Sequence, residues 1–112
     1  SPDGALFATG GDDGKVRLWG AGGTPHARAM TGHQAWVRAV AFSSDSQLLA
    51  SAGDDGAARL WTIAGEPFGT PMRGHDGSAS SVIFSPDDAI LRTGGYFDGK
   101  VRQWSLMEMP EH

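Results

Sequence analysis

Asp13-Gly14-Lys15-Val16-Arg17-Leu18-Trp19 reads as a tight turn running into a short strand, and the chain writes it three times. The second copy is Asp55-Gly56-Ala57-Ala58-Arg59-Leu60-Trp61, and the third is Asp98-Gly99-Lys100-Val101-Arg102-Gln103-Trp104. The tryptophans stand 42 and 43 residues apart, so the third copy carries one inserted residue, at Tyr96-Phe97. Two further markers keep the same phase. Ser1-Pro2-Asp3-Gly4 returns as Ser43-Ser44-Asp45-Ser46 and as Ser85-Pro86-Asp87-Asp88, 42 residues on each time. Gly32-His33 returns as Gly74-His75, again 42 on. Three markers in phase define a structural repeat, and a repeat governs how every segment inside it is read.

One complete unit runs over residues 34–75. Trp36 to Phe42 is rich in valine and aromatics and ends at the Ser-Ser-Asp-Ser turn. Leu48 to Ala52 follows and stops at Asp54-Asp55-Gly56, a strong hairpin signal. Ala57 to Ile63 makes a third strand, and a Gly-Glu-Pro loop leads to a fourth over Phe68 to Met72. The spacing therefore predicts an all-β protein of four short antiparallel strands per unit. Val40-Ala41-Phe42 and Leu48-Leu49-Ala50 are apolar on both faces, as in a sheet covered on both sides. Glycine or proline interrupts nearly every window long enough for a helix.

Composition agrees and narrows the function classes. The 112 residues include 17 glycines without a collagen period, which means many tight turns. The net charge is -4 and no two of the nine Lys and Arg residues are adjacent, so no basic patch for nucleic acid is visible. No apolar run approaches the roughly 20 residues that span a bilayer. The absence of cysteine removes disulfides, thiolate metal sites and cysteine nucleophiles, and fits a reducing, cytoplasmic setting.

The ordered set of a Gly-His pair, a serine-rich turn, a Ser-Ala-Gly or Thr-Gly strand end, an Asp-Gly and a tryptophan six residues past the Asp resembles the WD-repeat family. The 42-residue period lies within the roughly 40–45 residues of such repeats. The resemblance implies a β-propeller of four-stranded blades, incomplete in this chain. It divides residues 1–112, one partial propeller domain, into a partial blade over 1–33, a complete blade over 34–75 and a partial blade over 76–112. The name-giving Asp after each tryptophan is replaced by Gly20, Thr62 and Ser105, a position that varies widely in the family. The abundance of Ala, Gly and Arg resembles bacterial WD-repeat proteins, in which such propellers often follow a kinase or nucleotide-triphosphatase signalling domain.

The resemblance also implies a buried hydrogen-bonded relay of structural residues. By position it comprises His33, Ser51, Asp55 and Trp61 in the central blade, and His75, Thr93, Asp98 and Trp104 in the third. The first blade retains Thr9, Asp13 and Trp19, its histidine position falling before Ser1. Trp19, Trp61 and Trp104 are expected in the core, since they recur at the blade period. His33, Ser51 and Asp55 are also the residue types of a hydrolase triad, but a triad needs an exposed nucleophile beside an oxyanion hole. Ser51 ends a strand expected to be buried, and no Gly-x-Ser-x-Gly occurs. The paired aspartates lack the alternating ligands and closing glutamate of a calcium loop, and the four histidines give no zinc spacing. No catalytic residue, metal or cofactor is therefore expected.

Trp36 does not recur, the matching residue being Ser78. It sits just after a Gly-His loop, at the end of the strands that the family most often turns towards partners. Arg38 points the same way by strand alternation, Asp54 precedes the relay aspartate, and Tyr96 and Phe97 lie in the inserted turn. Aromatics and arginine anchor interfaces. Trp36, Arg38, Asp54, Tyr96 and Phe97 are thus the candidates for a face that binds a protein partner; the alternative for Trp36 is packing against a neighbouring loop. An enzyme built round a propeller channel would need converging charged residues from several blades, and Arg38 aligns with Ser80.

Lettering the strands of a blade a to d, the first blade supplies b, c and d and the third a, b and c, for ten strands in all. A closed propeller needs about 4–8 blades. The remaining blades are expected from a longer chain, of which this sequence would be a segment, or from homo-oligomerisation.

Overall fold

A computed structural model of the chain describes residues 1–26, 29–33, 35–73, 77–95 and 100–106. Among the described residues, ten strands make three antiparallel sheets. The first holds β1 (Leu6–Gly10), β2 (Lys15–Gly20) and β3 (Met30–Thr31). The central sheet orders β4 (Val37–Phe42), β5 (Leu48–Gly53), β6 (Ala57–Thr62) and β7 (Pro67–Arg73). The third orders β8 (Ala79–Phe84), β9 (Ile90–Gly95) and β10 (Val101–Ser105). The expected all-β class and the placing of the strands within the repeat hold. Trp36 stays outside β4, whose register is interrupted by a bulge between Val37 and Ala39.

Alternation along the central strands explains their doubly apolar sequence. Leu49 and Trp61 face the first sheet, where they pack with Val16, Leu18 and Met30, and Val37 of β4 joins the same cluster. Ala50, Ala52, Ala58 and Leu60 face the third, in a cluster with Ala79, Val82 and Leu91. Each face of the central sheet thus has its own core, and small alanines on one side allow close approach.

The serine-rich turns are built alike. Leu48 N–H donates to Ser43 Oγ at 3.0 Å, and the Ser43 hydroxyl donates to Asp45 at 2.6 Å. Ile90, Ser85 and Asp87 repeat the pattern at 3.0 and 2.7 Å. Position four of each turn is left-handed: Gly4 at φ 74°, Ser46 at 62° and Asp88 at 60°. A side chain there is unfavourable by roughly 1–3 kcal/mol unless something holds it. Here the side chains reach the sheet before. Asp3 N–H donates to Ser46 Oγ at 3.3 Å, and Asp88 accepts from the Ser44 amide and hydroxyl at 2.9 and 2.7 Å.

The opposite rim is tied by backbone. Val37 N–H donates to the Gly11 carbonyl at 3.0 Å. Gly14, at φ +79°, lies so close to the His33 carbonyl that a Cβ would stand 2.6 Å from its oxygen. Only glycine satisfies both the turn and that approach.

The two outward faces differ from the inner ones. On the first sheet Phe7 is 44% exposed and stacks on Trp19 at 6.3 Å, where the central sheet has buried Leu49 and Trp61. On the third, Ile83 and Val101 are exposed. Arg92 and Gln103 replace the aliphatic Ala50 and Leu60 of the central sheet, and Arg92 Nε donates to Gln103 Oε1 at 3.0 Å.

Candidate functional site

The central sheet gathers four polar side chains in its interior. Trp61 Nε1–H donates to Ser51 Oγ at 2.9 Å, and His33 Nε2 lies 2.7 Å from the same oxygen. His33 Nδ1 lies 3.1 Å from both Asp55 oxygens, and Asp55 also accepts the Ala57 amide at 3.2 Å. Strand alternation places Ser51 beside Leu49, facing the first sheet, and the loop after β3 delivers His33 to it. Burial lowers the His33 pKa from its ordinary 6.5, against the opposing pull of Asp55. The neutral ring then carries its proton on Nδ1, facing the carboxylate, and Ser51 donates its hydroxyl hydrogen to Nε2.

This geometry does not make Ser51 a nucleophile. Its side chain is fully buried, at 0% exposure, and its oxygen already takes the tryptophan N–H. Catalysis needs a serine that substrate can reach.

The relay gives stability a pH dependence. Below its ordinary pKa of 6.5 the His33 of the unfolded chain binds a proton that the folded state disfavours. His33 thus contributes full stability above that pH and progressively less as pH falls through the lowered folded value. Melting midpoints recorded between pH 7 and pH 5 are expected to fall for the native chain, with the His33 share of the slope missing in His33→Gln. Equal slopes would remove His33 as the cause.

The first sheet repeats part of the arrangement. Trp19 Nε1–H donates to Thr9 Oγ1 at 3.0 Å, and Asp13 pairs with Arg17 at 2.9 Å. In the third sheet Trp104 Nε1–H donates to Thr93 at 3.1 Å; His75 and Asp98 lie outside the described residues. Of the three tryptophans expected in the core, Trp61 is buried and Trp19 and Trp104 are half-buried. Trp19 belongs to the outward face of its sheet, and Trp104 to β10, at the edge of its own.

At the rim by the Asp-Gly turns, Trp36, Arg38 and Asp54 come together. The Trp36 carbonyl accepts the Asp54 amide at 2.8 Å, while the next residue, Val37, is held by Gly11 of the first sheet. Trp36 is thus fixed between two turns, yet its side chain is 49% exposed. The Arg38 guanidinium lies 4.4 Å from the Trp36 ring centroid, a cation–π contact. Asp54 grips its other edge, accepting from Nε at 2.7 Å and Nη2 at 2.8 Å. That pairing lowers the Asp54 pKa, with a smaller contribution from the Ser78 hydroxyl, and raises that of Arg38. Tyr96 and Phe97 lie outside the described residues. Sequence reading singled out the three rim residues; it missed their order, with the cation between ring and carboxylate. It also missed Ser78, seen there only as the residue that replaces Trp36.

Three stacked antiparallel sheets with a relay between sheet and loop define a β-propeller-type repeat array. Residues 1–20, 25–62 and 65–105 match the WD domain, G-beta repeat family, also called WD40, and the chain belongs to it. No curated protein matches the chain significantly. WD40 repeats generally mediate protein–protein interaction, and their domains are typically non-catalytic scaffolds.

Proposed function

We propose that this chain is a non-catalytic scaffold segment that holds a protein partner on the rim formed by Trp36, Arg38 and Asp54. The observation that carries the reading is an indole half in solvent but fixed by backbone on both sides, with an arginine laid across it. Such a group loses little conformational freedom on binding, and Trp and Arg dominate interface energetics. Tyr96 and Phe97, which lie outside the described residues, are proposed on sequence grounds as further members of this partner-binding set, and the lack of cysteine supports a cytoplasmic setting. The abundance of Ala, Gly and Arg, which resembles bacterial WD-repeat proteins, supports a bacterial signalling context. Further blades, from a longer chain or from other copies, would cover the exposed Phe7, Ile83 and Val101 side chains.

The test compares the native chain with Trp36→Ala and Asp54→Ala as immobilised baits, with quantitative mass spectrometry of what each retains. A bound protein reduced about tenfold or more by Trp36→Ala is expected, since hot-spot truncations exceed about 2 kcal/mol. Asp54→Ala is expected to weaken the same protein, because it frees Arg38 from its fixed pose. Identical retention by all three baits would overturn the assignment.

A further inference from the structure

The pairing of β6 with β7 breaks at one residue. Ala57 and Ala58 stand opposite Arg73 and Met72, and Leu60 and Trp61 opposite Phe68 and Pro67. Residues 69–71 of β7 therefore stand where β6 has Arg59 alone, and Gly69 takes a φ of 72°. A bulge of this kind bends the strand and re-aims the side chains beside it. Arg59 is left with no residue opposite, on the strand next to the edge of the central sheet.

The Arg59 guanidinium packs on the loop after β3. Its Nη1 lies 3.0 Å from where a Cβ on Gly32 would stand, and the Trp61 ring lies 3.1 Å from the same point. Nε is buried without a hydrogen-bond partner among the described residues, while Nη1 and Nη2 stay open to water. The matching arginine of the first sheet, Arg17, is neutralised by Asp13 at 2.9 Å. In the central sheet the corresponding carboxylate, Asp55, is engaged by His33 and the Ala57 amide. Arg73 brings a second cation to the same face. It stands opposite Ala57 and diagonal to Arg59, a separation of about 7–8 Å between strands that long side chains span. Burial lowers the Arg59 pKa, Asp55 pulls it up and Arg73 pushes it down again. A half-buried cation beside a second one, with no acceptor on its nitrogens, is an unfavourable arrangement that an anion relieves.

We propose that Arg59 and Arg73 form a binding site for a phosphate group, beside the bulge at the edge of the central sheet. The open Nη atoms of Arg59 donate to two phosphate oxygens, and Arg73 donates to a third. A carboxylate fits less well, because one guanidinium fork takes up both of its oxygens and leaves the second arginine without an acceptor. The missing side chain of Gly32 gives the Arg59 guanidinium its place, and the bulge keeps a cross-strand neighbour from covering it. Sequence reading found no basic patch because these two arginines meet only through the pairing of β6 with β7. The site is independent of the Trp36 rim, so either can fail alone.

The test titrates inorganic phosphate into the full chain at an ionic strength held constant with chloride. Nitrogen-15 NMR follows the Arg59 and Arg73 Nε–H signals and the Trp61 indole N–H, with the Trp19 indole as reference. Saturable shifts of the first three are expected, half-complete at roughly millimolar phosphate, while Trp19 stays in place. Acetate is expected to bind about tenfold more weakly. Arg59→Gln and Arg73→Gln, followed through Trp61, should each weaken phosphate about tenfold, the scale of a lost charge-assisted contact. Arg59→Lys keeps the charge without the fork and should fall between. Arg17→Gln removes the matching arginine of the first sheet and should leave binding unchanged. Arg73 is exposed, so its variant keeps the test decisive if Arg59→Gln folds poorly. O-phosphoserine as a second probe separates the sources of the group: tighter binding than inorganic phosphate assigns the site to a phosphorylated side chain, weaker binding to the free anion. Shifts that never saturate, equal shifts with acetate, or half-saturation unmoved by both glutamine variants would overturn the proposal.

Discussion

Trp61→Ala lowers the stability of the chain by about 3–5 kcal/mol, the cost of emptying a fully packed aromatic site. Trp61 is 2% exposed, packs with Leu49, Leu18 and Met30, and supplies the N–H that Ser51 accepts. In a protein of this size that corresponds to a fall in melting midpoint of roughly 10–20 °C. Trp19→Ala is the built-in control. It removes the same residue type from the same place in the repeat and breaks the equivalent bond to Thr9. Trp19 is only half-buried, beside an exposed Phe7, so the expected loss is roughly 1–2 kcal/mol. Thermal or urea unfolding of the two variants decides the matter. Losses of equal size would mean that burial between the sheets is not what gives Trp61 its weight.

Asp55→Ala is expected to cost roughly 2–4 kcal/mol, because it strips two buried donors at once. The His33 Nδ1–H and the Ala57 amide both lose their acceptor. The imidazole is fully buried and cannot turn to water without opening the loop between the first and central sheets. Asp55→Asn keeps one acceptor oxygen and should retain part of the loss as stability. An unchanged melt for Asp55→Ala would show that the relay is satisfied in some other way.

The strand order and the core of the central sheet were legible because their signals are local. Each Asp-Gly turn, each serine turn and each apolar pair such as Leu49-Ala50 specifies its own neighbourhood. The relay residues followed from the family resemblance, and the structure brings His33, Ser51, Asp55 and Trp61 into bonding distance. Illegible was anything that depends on what covers a sheet. Arg17 and Arg59 occupy the same place in the repeat, yet one grips an aspartate and the other packs on a glycine. Trp19 and Trp61 likewise share a sequence context and differ in burial. Arg92 and Gln103 could have been noticed, since they break the Ala-Leu pattern of the other two sheets, but a departure from a repeat says nothing of direction until the faces are known.

The left-handed turn residues make the seam between sheets point one way. Ser46 and Asp88 each reach towards the sheet that precedes their own, and so does Val37 at the other rim. A ribosome delivers the earlier sheet first. Every later sheet therefore emerges carrying its own fastener, with the site that receives it already made. The seam also closes the other way, since His33, in the loop after β3, finds Ser51 and Asp55 only once the central sheet has followed.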